Sequence, residues 1–254
     1  MNRFVRVLGG IFLSLMGLAI VVWLGLSAFF FIAGRDVVPP DDSDLLFVDA
    51  TVPDEENTYV AFLSVTNLYV LSYEDRKTCM DYCKWRRTGQ AMGLATNGVS
   101  VVVDRMIEAH AAYYEGLHRA MVLPGYHFVK DKDGWGYMAF PPITAMMQAN
   151  NLLTVRTIRA AERGEFAEAL SSLRDQFAFG RKITLGAINF FQLLVGLDIT
   201  DSVCQTIRFL VTRDGVPEDV LSALAELIRD DVDLPLVFAQ AMKGEYTNCG
   251  LLFV

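Results

Sequence analysis

The sequence contains no complete motif for catalysis, for binding a nucleotide cofactor or for binding a metal. No nucleophile elbow, phosphate-binding loop or dinucleotide fingerprint occurs in its 254 residues. Histidine is scarce, with three in all, so a histidine-rich metal site is excluded. The sequence therefore predicts no cofactor, identifies no catalytic residue, and leaves enzyme activity uncertain with the balance against it.

Basic residues are too few for a nucleic-acid-binding protein. The chain has 22 lysines and arginines against 30 aspartates and glutamates, and Arg3 and Arg6 are the only charged residues before position 34. The remaining 20 basic and 30 acidic residues give positions 34–254 a formal charge of −10. So acidic a region repels phosphate backbones, and we expect no nucleic-acid partner.

Cysteine is sparse as well, with Cys79, Cys83, Cys204 and Cys249. Four cysteines allow three disulfide pairings, among which the sequence does not choose. Cys79 and Cys83 lie one helical turn apart, where a disulfide is geometrically awkward, and zinc would need two further ligands. We interpret them as buried or free thiols.

What the sequence does contain is one long run without charge, Val7 to Ala33. About 20 apolar residues in a helix cross the hydrocarbon core of a bilayer, so this run predicts a transmembrane helix that binds the protein to lipid. A cleaved signal peptide would have a shorter apolar region, of roughly 7–15 residues, and a small-x-small exit. Phe31 occupies a position where a small residue would be required, which favours a retained anchor.

The charges around this run predict its orientation. Arg3 and Arg6 precede it, whereas Arg35 is followed by several aspartates. Because positively charged loops stay in the cytoplasm, we expect a single-pass protein of the cell membrane with its C-terminal part outside. The predicted organisation is a cytoplasmic tail (1–6), a transmembrane helix (7–33), an acidic linker with prolines (34–53) and a helical extracytoplasmic domain (54–254).

Helical periodicity dominates the outer region. One apolar stripe predicts a single helix over 99–121, and others predict paired helices over 143–163 and 165–183 and a long helix over 185–212. The exception is Tyr126 to Ala139, where Asp131-Lys132-Asp133-Gly134 predicts the turn of a β-hairpin. The predicted fold class is mainly α, with an N-terminal transmembrane helix followed by an extracytoplasmic helical-hairpin array and one small β-hairpin.

Weak candidates for metal binding lie within the predicted helix 99–121. His110 and His118 are eight residues apart, and Glu115 precedes His118 by three, which is the spacing of carboxylate metal sites. Such sites need two Glu-x-x-His pairs and further glutamates. We therefore expect no metal site and retain His110, Glu115 and His118 only as weak candidates.

Two segments carry a resemblance to known proteins. Val52 to Asn57 with Tyr59, in a V-P-D-E-E-N-x-Y segment after an acidic linker, resembles bacterial single-pass anchored proteins with a helical outer domain and no assigned activity. Gly164, Phe166 and Ala169 resemble the junction of one tetratricopeptide hairpin, which implies a close helical pair. Because such proteins often continue further, the apolar end Cys249 to Val254 predicts a truncated chain.

These observations lead to three hypotheses about function. The first is a membrane-anchored interaction or scaffold protein that binds an envelope protein, because helical hairpins leave grooves for partner segments. The second is a cell-envelope hydrolase that acts through a carboxylate pair, which the sequence does not locate. The third is a truncated product without a function of its own.

Overall fold

Nine α-helices occupy the part of the chain that the computed structural model describes, namely residues 52–69, 71–88, 98–128, 142–229 and 232–250. The prediction of a mainly α-helical protein is confirmed. The helices are α1 (Thr58–Val65), α2 (Tyr73–Thr88), α3 (Val99–Ala109), α4 (Ala111–Met121), α5 (Ile143–Glu162), α6 (Phe166–Leu185), α7 (Phe190–Val211), α8 (Glu218–Leu227) and α9 (Leu234–Gly250).

The predicted fold class is wrong in its β-hairpin, because the described residues contain no strand. Asn57 and Gly125 form an isolated bridge, and residues 126–128, where the first strand was expected, pair with a side chain instead. Asn57 Oδ1 accepts from His127 N (3.0 Å), and Asn57 Nδ2 donates to His127 O (2.8 Å). The buried amide thus takes the place of a strand partner. The expected turn, 131–134, lies outside the described residues.

The transmembrane element of the predicted fold class is likewise not found. Across the ranges given above, the search for a helix of sufficient length and apolar character to cross a membrane finds none. Val7 to Ala33, to which the prediction applied, lies outside those ranges.

The single helix predicted over 99–121 is also wrong, because the chain leaves helical geometry at His110 (φ −104°, ψ 17°) and forms α3 and α4. On α3 the predicted stripe is buried at Met106 and not at Val102. Val102, on the predicted stripe, is 38% exposed, whereas its neighbour Val103 is fully buried. Beyond the break, Tyr113 and Leu117 are buried as expected.

Helix α6 lies at the centre of the fold and packs closely against α7. The two backbones approach each other at glycines. A Cβ atom on Gly196 would lie 2.7 Å from Thr184 N and 3.0 Å from Gly180 O, and one on Gly180 would lie 2.9 Å from Ile199 Cγ2. Only glycine permits this separation, so these two positions set the distance between the helices.

The main core surrounds this pair. Helix α5 packs along α6 through a turn at Gly164, whose φ of +76° suits glycine, and α1 contributes Phe62, whose ring lies 5.0 Å from Phe179. A smaller cluster joins α9 to the start of α7 through Ala187, Leu193, Val237 and Ala241. Helix α6 therefore contacts helices on several sides.

A polar seam, defined here as Arg87, Asn150, Thr154, Gln176 and Ser202, crosses the core between α2, α5, α6 and α7. Gln176 Nε2 lies 2.6 Å from Asn150 Oδ1 and 2.8 Å from Thr154 Oγ1. Arg87 Nη1 donates to Ser202 Oγ over 3.1 Å. Buried polar groups are costly without partners, so these contacts fix how the four helices are aligned.

We expect Gly196→Ala to lower the free energy of unfolding by about 2–3 kcal/mol, because the new methyl group meets backbone atoms of α6 that cannot rotate away. Gly116→Ala is the matched control, since its methyl group would meet the side chain of Val65. Both changes gain the same helix propensity. Urea unfolding of the two variants measures the difference, and equal midpoints would contradict the close approach.

Candidate functional site

The weak metal candidates do not converge. His110 is buried between α3 and α4, with Nδ1 2.8 Å from Met106 O. Glu115 is exposed and pairs loosely with Arg119 at 3.8 Å. His118 contacts a different helix. Throughout the described ranges, no group of three or more histidine, cysteine, aspartate or glutamate side chains is placed to hold a metal ion.

The partner of His118 is Asp175 on α6. His118 Nδ1 lies 2.9 Å from Asp175 Oδ1 and 3.0 Å from Oδ2, so the carboxylate orients the imidazole. Burial raises the pKa of Asp175, while the hydrogen bond with His118 opposes that shift. The pair joins α4 to α6, and Glu115, retained from the sequence only as a weak metal candidate, takes no part in it.

Two further carboxylates, Asp104 on α3 and Glu162 on α5, share one arginine. Arg159 Nε and Nη2 donate to Asp104 over 2.6 and 2.8 Å, and Arg159 Nη1 donates to Glu162 Oε2 over 3.1 Å. Arg86 also pairs with Glu162, and Arg163 Nη2 lies 2.7 Å from Asp104. We call these five residues the arginine clamp.

The arginine clamp does not suit acid catalysis. Hydrogen bonds from Arg159 lower the pKa of Asp104, which keeps this carboxyl group ionised at neutral pH. Glycoside hydrolysis by a carboxylate pair needs one group held protonated as the general acid. The clamp therefore gives the hydrolase hypothesis no support and serves to join α2, α3 and α5.

Cys79, Cys83 and Cys204 are free thiols, which agrees with the interpretation of Cys79 and Cys83. Cys79 and Cys83 are buried on α2, and Cys204 is exposed on α7. Burial raises the pKa of both Cys79 and Cys83 to about 12. These two thiols are therefore poor nucleophiles and behave as core side chains.

The feature best suited to binding is a cleft of about 520 Å³ between α6, α8 and the turn after α4. We call it the α6/α8 cleft. Its size lies within the ~300–1,000 Å³ range of ligand pockets. It is lined by Pro124, Arg174, Phe177, Ala178, Arg181, Lys182, Leu185, Ala223, Glu226 and Leu227.

The charge of the α6/α8 cleft is opposite to that of the domain. Arg174, Arg181 and Lys182 face a single carboxylate, Glu226, so the lining has a formal charge of +2. The apolar part of the lining includes Phe177 on α6. Positive charge around an apolar surface in an otherwise acidic domain selects what binds there by electrostatic attraction.

Lys182 also connects the cleft to the N-terminal helices. Its ammonium group donates to Thr58 Oγ1 (2.9 Å) and to the carbonyl oxygen of Leu123. Burial lowers the pKa of Lys182 from its ordinary value. Lys182 therefore has a structural role at the base of the cleft, whereas Arg174 is exposed at its rim.

A second cavity, of about 230 Å³, adjoins the α6/α8 cleft. Both are lined by Phe177 and Arg181, and the second also contains Cys204 and Ile228. The two cavities therefore share one turn of α6 in their linings.

The sequence analysis missed the α6/α8 cleft. Basic residues on an amphipathic helix ordinarily form a solvated face, and nothing in the spacing of Arg174, Arg181 and Lys182 shows that α8 lies opposite them. The one available signal was their position on a single helical face, seven and eight residues apart.

Comparisons with known proteins add no family to these observations: no protein-family model matches the chain, and neither the curated proteins nor the solved structures contain a significant match.

We expect Arg159→Met to lower the free energy of unfolding by about 1.5–3 kcal/mol, because Asp104 and the nearly buried Glu162 lose the hydrogen bonds of their shared partner, while Arg163 and Arg86 remain. Methionine keeps the apolar stem of the side chain. Arg119→Met is the control, since its ion pair with Glu115 is 71% exposed at both side chains and contributes little. Thermal unfolding of the two variants tests this, and a stable Arg159→Met protein would refute the clamp.

Proposed function

We propose that this protein is a membrane-anchored extracytoplasmic interaction module that binds a segment of an envelope protein in the α6/α8 cleft. The observation that carries the proposal is the cleft itself, in which cationic side chains surround an apolar surface. Helical pairs commonly bind partner segments in grooves of this kind.

The contrast between the cleft and the other polar sites supports a binding role. The carboxylates of the arginine clamp are occupied by guanidinium groups, and the Asp175–His118 pair serves to join two helices. The α6/α8 cleft, in comparison, has exposed Arg174 at its rim and Leu185, which is 45% exposed. Charge and apolar surface therefore lie together on this lining.

The proposed membrane location rests on the sequence. Val7 to Ala33 contains 27 residues without a charge, and the basic residues that precede it favour a cytoplasmic N-terminus. With this topology, residues 54–254 face the extracytoplasmic side, where partners would be other proteins of the envelope.

Site-specific crosslinking in the native cells tests the binding role. A photoreactive benzoylphenylalanine in place of Leu185 lies on the cleft lining, and the same residue in place of Glu115 on α4 lies outside it. We expect one defined protein to be crosslinked from position 185 and not from position 115. Arg174→Glu should weaken that crosslink at least fivefold, because it reverses a charge at the rim.

Arg208→Glu is the matched charge reversal, since Arg208 is exposed on α7 and is not part of the cleft lining. It should leave the crosslink unchanged. Identical crosslinks from positions 185 and 115, or no protein crosslink from position 185, would contradict the proposal.

The topology generates a separate prediction. In spheroplasts, external protease should remove an epitope tag placed after residue 254 and leave an N-terminal tag intact. Deletion of residues 7–33 should release the protein into the supernatant, because the apolar run is its attachment to lipid. Extraction of the full-length protein by alkaline carbonate would contradict the anchor.

A further inference from the structure

A cavity of about 390 Å³ lies between α2 and α5 and shares no lining residue with the α6/α8 cleft. We call it the α2/α5 pocket. The two helices are joined near their C-terminal ends, where Arg86 pairs with Glu162, and the pocket lies toward their N-terminal ends. Its size is within the ~300–1,000 Å³ range of small-molecule sites.

The walls of the α2/α5 pocket are mainly apolar, and two of them carry a methionine. Met80 lies one helical turn after Arg76 on α2. Met147 lies one turn after Ile143 on α5, and Leu71, which precedes α2, belongs to the same lining. Methionine side chains are unbranched and flexible, so they adjust to apolar ligands of varied shape. Met80 is 57% exposed, so the lining extends to the protein surface.

Arg76 is the one charged side chain among the described residues that line the α2/α5 pocket. Within the described ranges, its guanidinium group forms no ion pair, and its buried Nε has no hydrogen-bond partner. The arginines of the arginine clamp, by contrast, are held by two carboxylates. A buried donor without an acceptor is costly, so a ligand oxygen that accepts from Arg76 would be bound favourably.

The phenol group of Tyr69 interacts electrostatically with Arg76 and lies on the same lining. Burial raises the pKa of Tyr69 to about 12, while the positive charge of Arg76 opposes that shift. Tyr69 therefore keeps its proton at neutral pH and is a hydrogen-bond donor. The charge of Arg76 and the hydroxyl group of Tyr69 together favour an anion on this side of the pocket.

A ligand that matches this lining has one anionic group and an apolar body. A second charge would lie against apolar walls without a counterion, which is costly. We propose that the α2/α5 pocket binds a fatty acid. Arg76 binds the carboxylate through paired hydrogen bonds, and the apolar walls surround the alkyl chain. This site is additional to the α6/α8 cleft and does not depend on the function proposed for that cleft.

Photolabelling of the full-length protein in nanodiscs, with a decanoic acid that carries a diazirine on its chain, tests the proposal. We expect peptide mapping to place the label on the segments that contain Met80 and Met147. Unlabelled decanoate should suppress this labelling at least tenfold more effectively than decanamide. The amide has the same chain length but no charge to bind Arg76.

Arg76→Met removes the charge and keeps the apolar stem of the side chain, so it should lower the labelling at least tenfold. Its thermal unfolding midpoint should not fall, because Arg76 has no ion pair to lose within the described ranges. Lys77→Met is the matched control, since Lys77 is exposed on α2 and is not part of the lining. It should leave the labelling unchanged. If Arg76→Met does not fold, the comparison of decanoate with decanamide on the unaltered protein decides the question.

Three results would overturn the inference. These are the absence of label on the two segments, labelling that a folded Arg76→Met variant retains, and equal suppression by decanoate and decanamide. Suppression by an apolar peptide with a free C-terminal carboxylate, and not by decanoate, would also overturn it and would identify a protein C-terminus as the occupant.

Discussion

The contact on which the rest of the structure depends is the approach of α6 to α7, where Gly196 lies against Thr184 and the backbone of Gly180, and Gly180 lies against the side chain of Ile199. This short separation leaves the other sides of α6 for other elements. Helix α5 packs along one side of α6, and Asp175 of α6 contacts His118 of α4 on another. The α6 residues that line the cleft, which lie between Arg174 and Leu185, are on the side of α8. The α6/α8 cleft is thus a consequence of how tightly α6 is held on the opposite side.

Helices were predictable from the sequence because their signals are local. The sequence located α5 and α6 to within two residues, and Gly164 marked the turn between them, whereas α7 begins at Phe190, five residues after its predicted start. The predicted β-hairpin is wrong for a reason that cannot be read from the local sequence. Asn57, seventy positions earlier, supplies the hydrogen bonds that a partner strand would have given to His127.

The ion pairs that join the helices could not be predicted from the sequence for the same physical reason. Asp175 and His118 are 57 residues apart, and Asp104 and Arg159 are 55 apart, so neither pair forms a motif. The metal hypothesis instead joined His118 to Glu115, which is near in the chain and faces solvent. The apolar stripe predicted for one continuous helix is also wrong at Val102, which is exposed while its neighbour Val103 is buried.

The polar seam has a consequence for the order in which the protein opens. Because Arg87 of α2 bonds to Ser202 of α7, and Gln176 of α6 bonds to Asn150 and Thr154 of α5, no one of these helices separates without breaking contacts to another. A helix that separates alone would leave amide and hydroxyl groups of its neighbours without their hydrogen bonds, which is costly wherever those groups stay buried. These four helices therefore constitute one cooperative folding unit, to which α8 and α9 attach as peripheral elements.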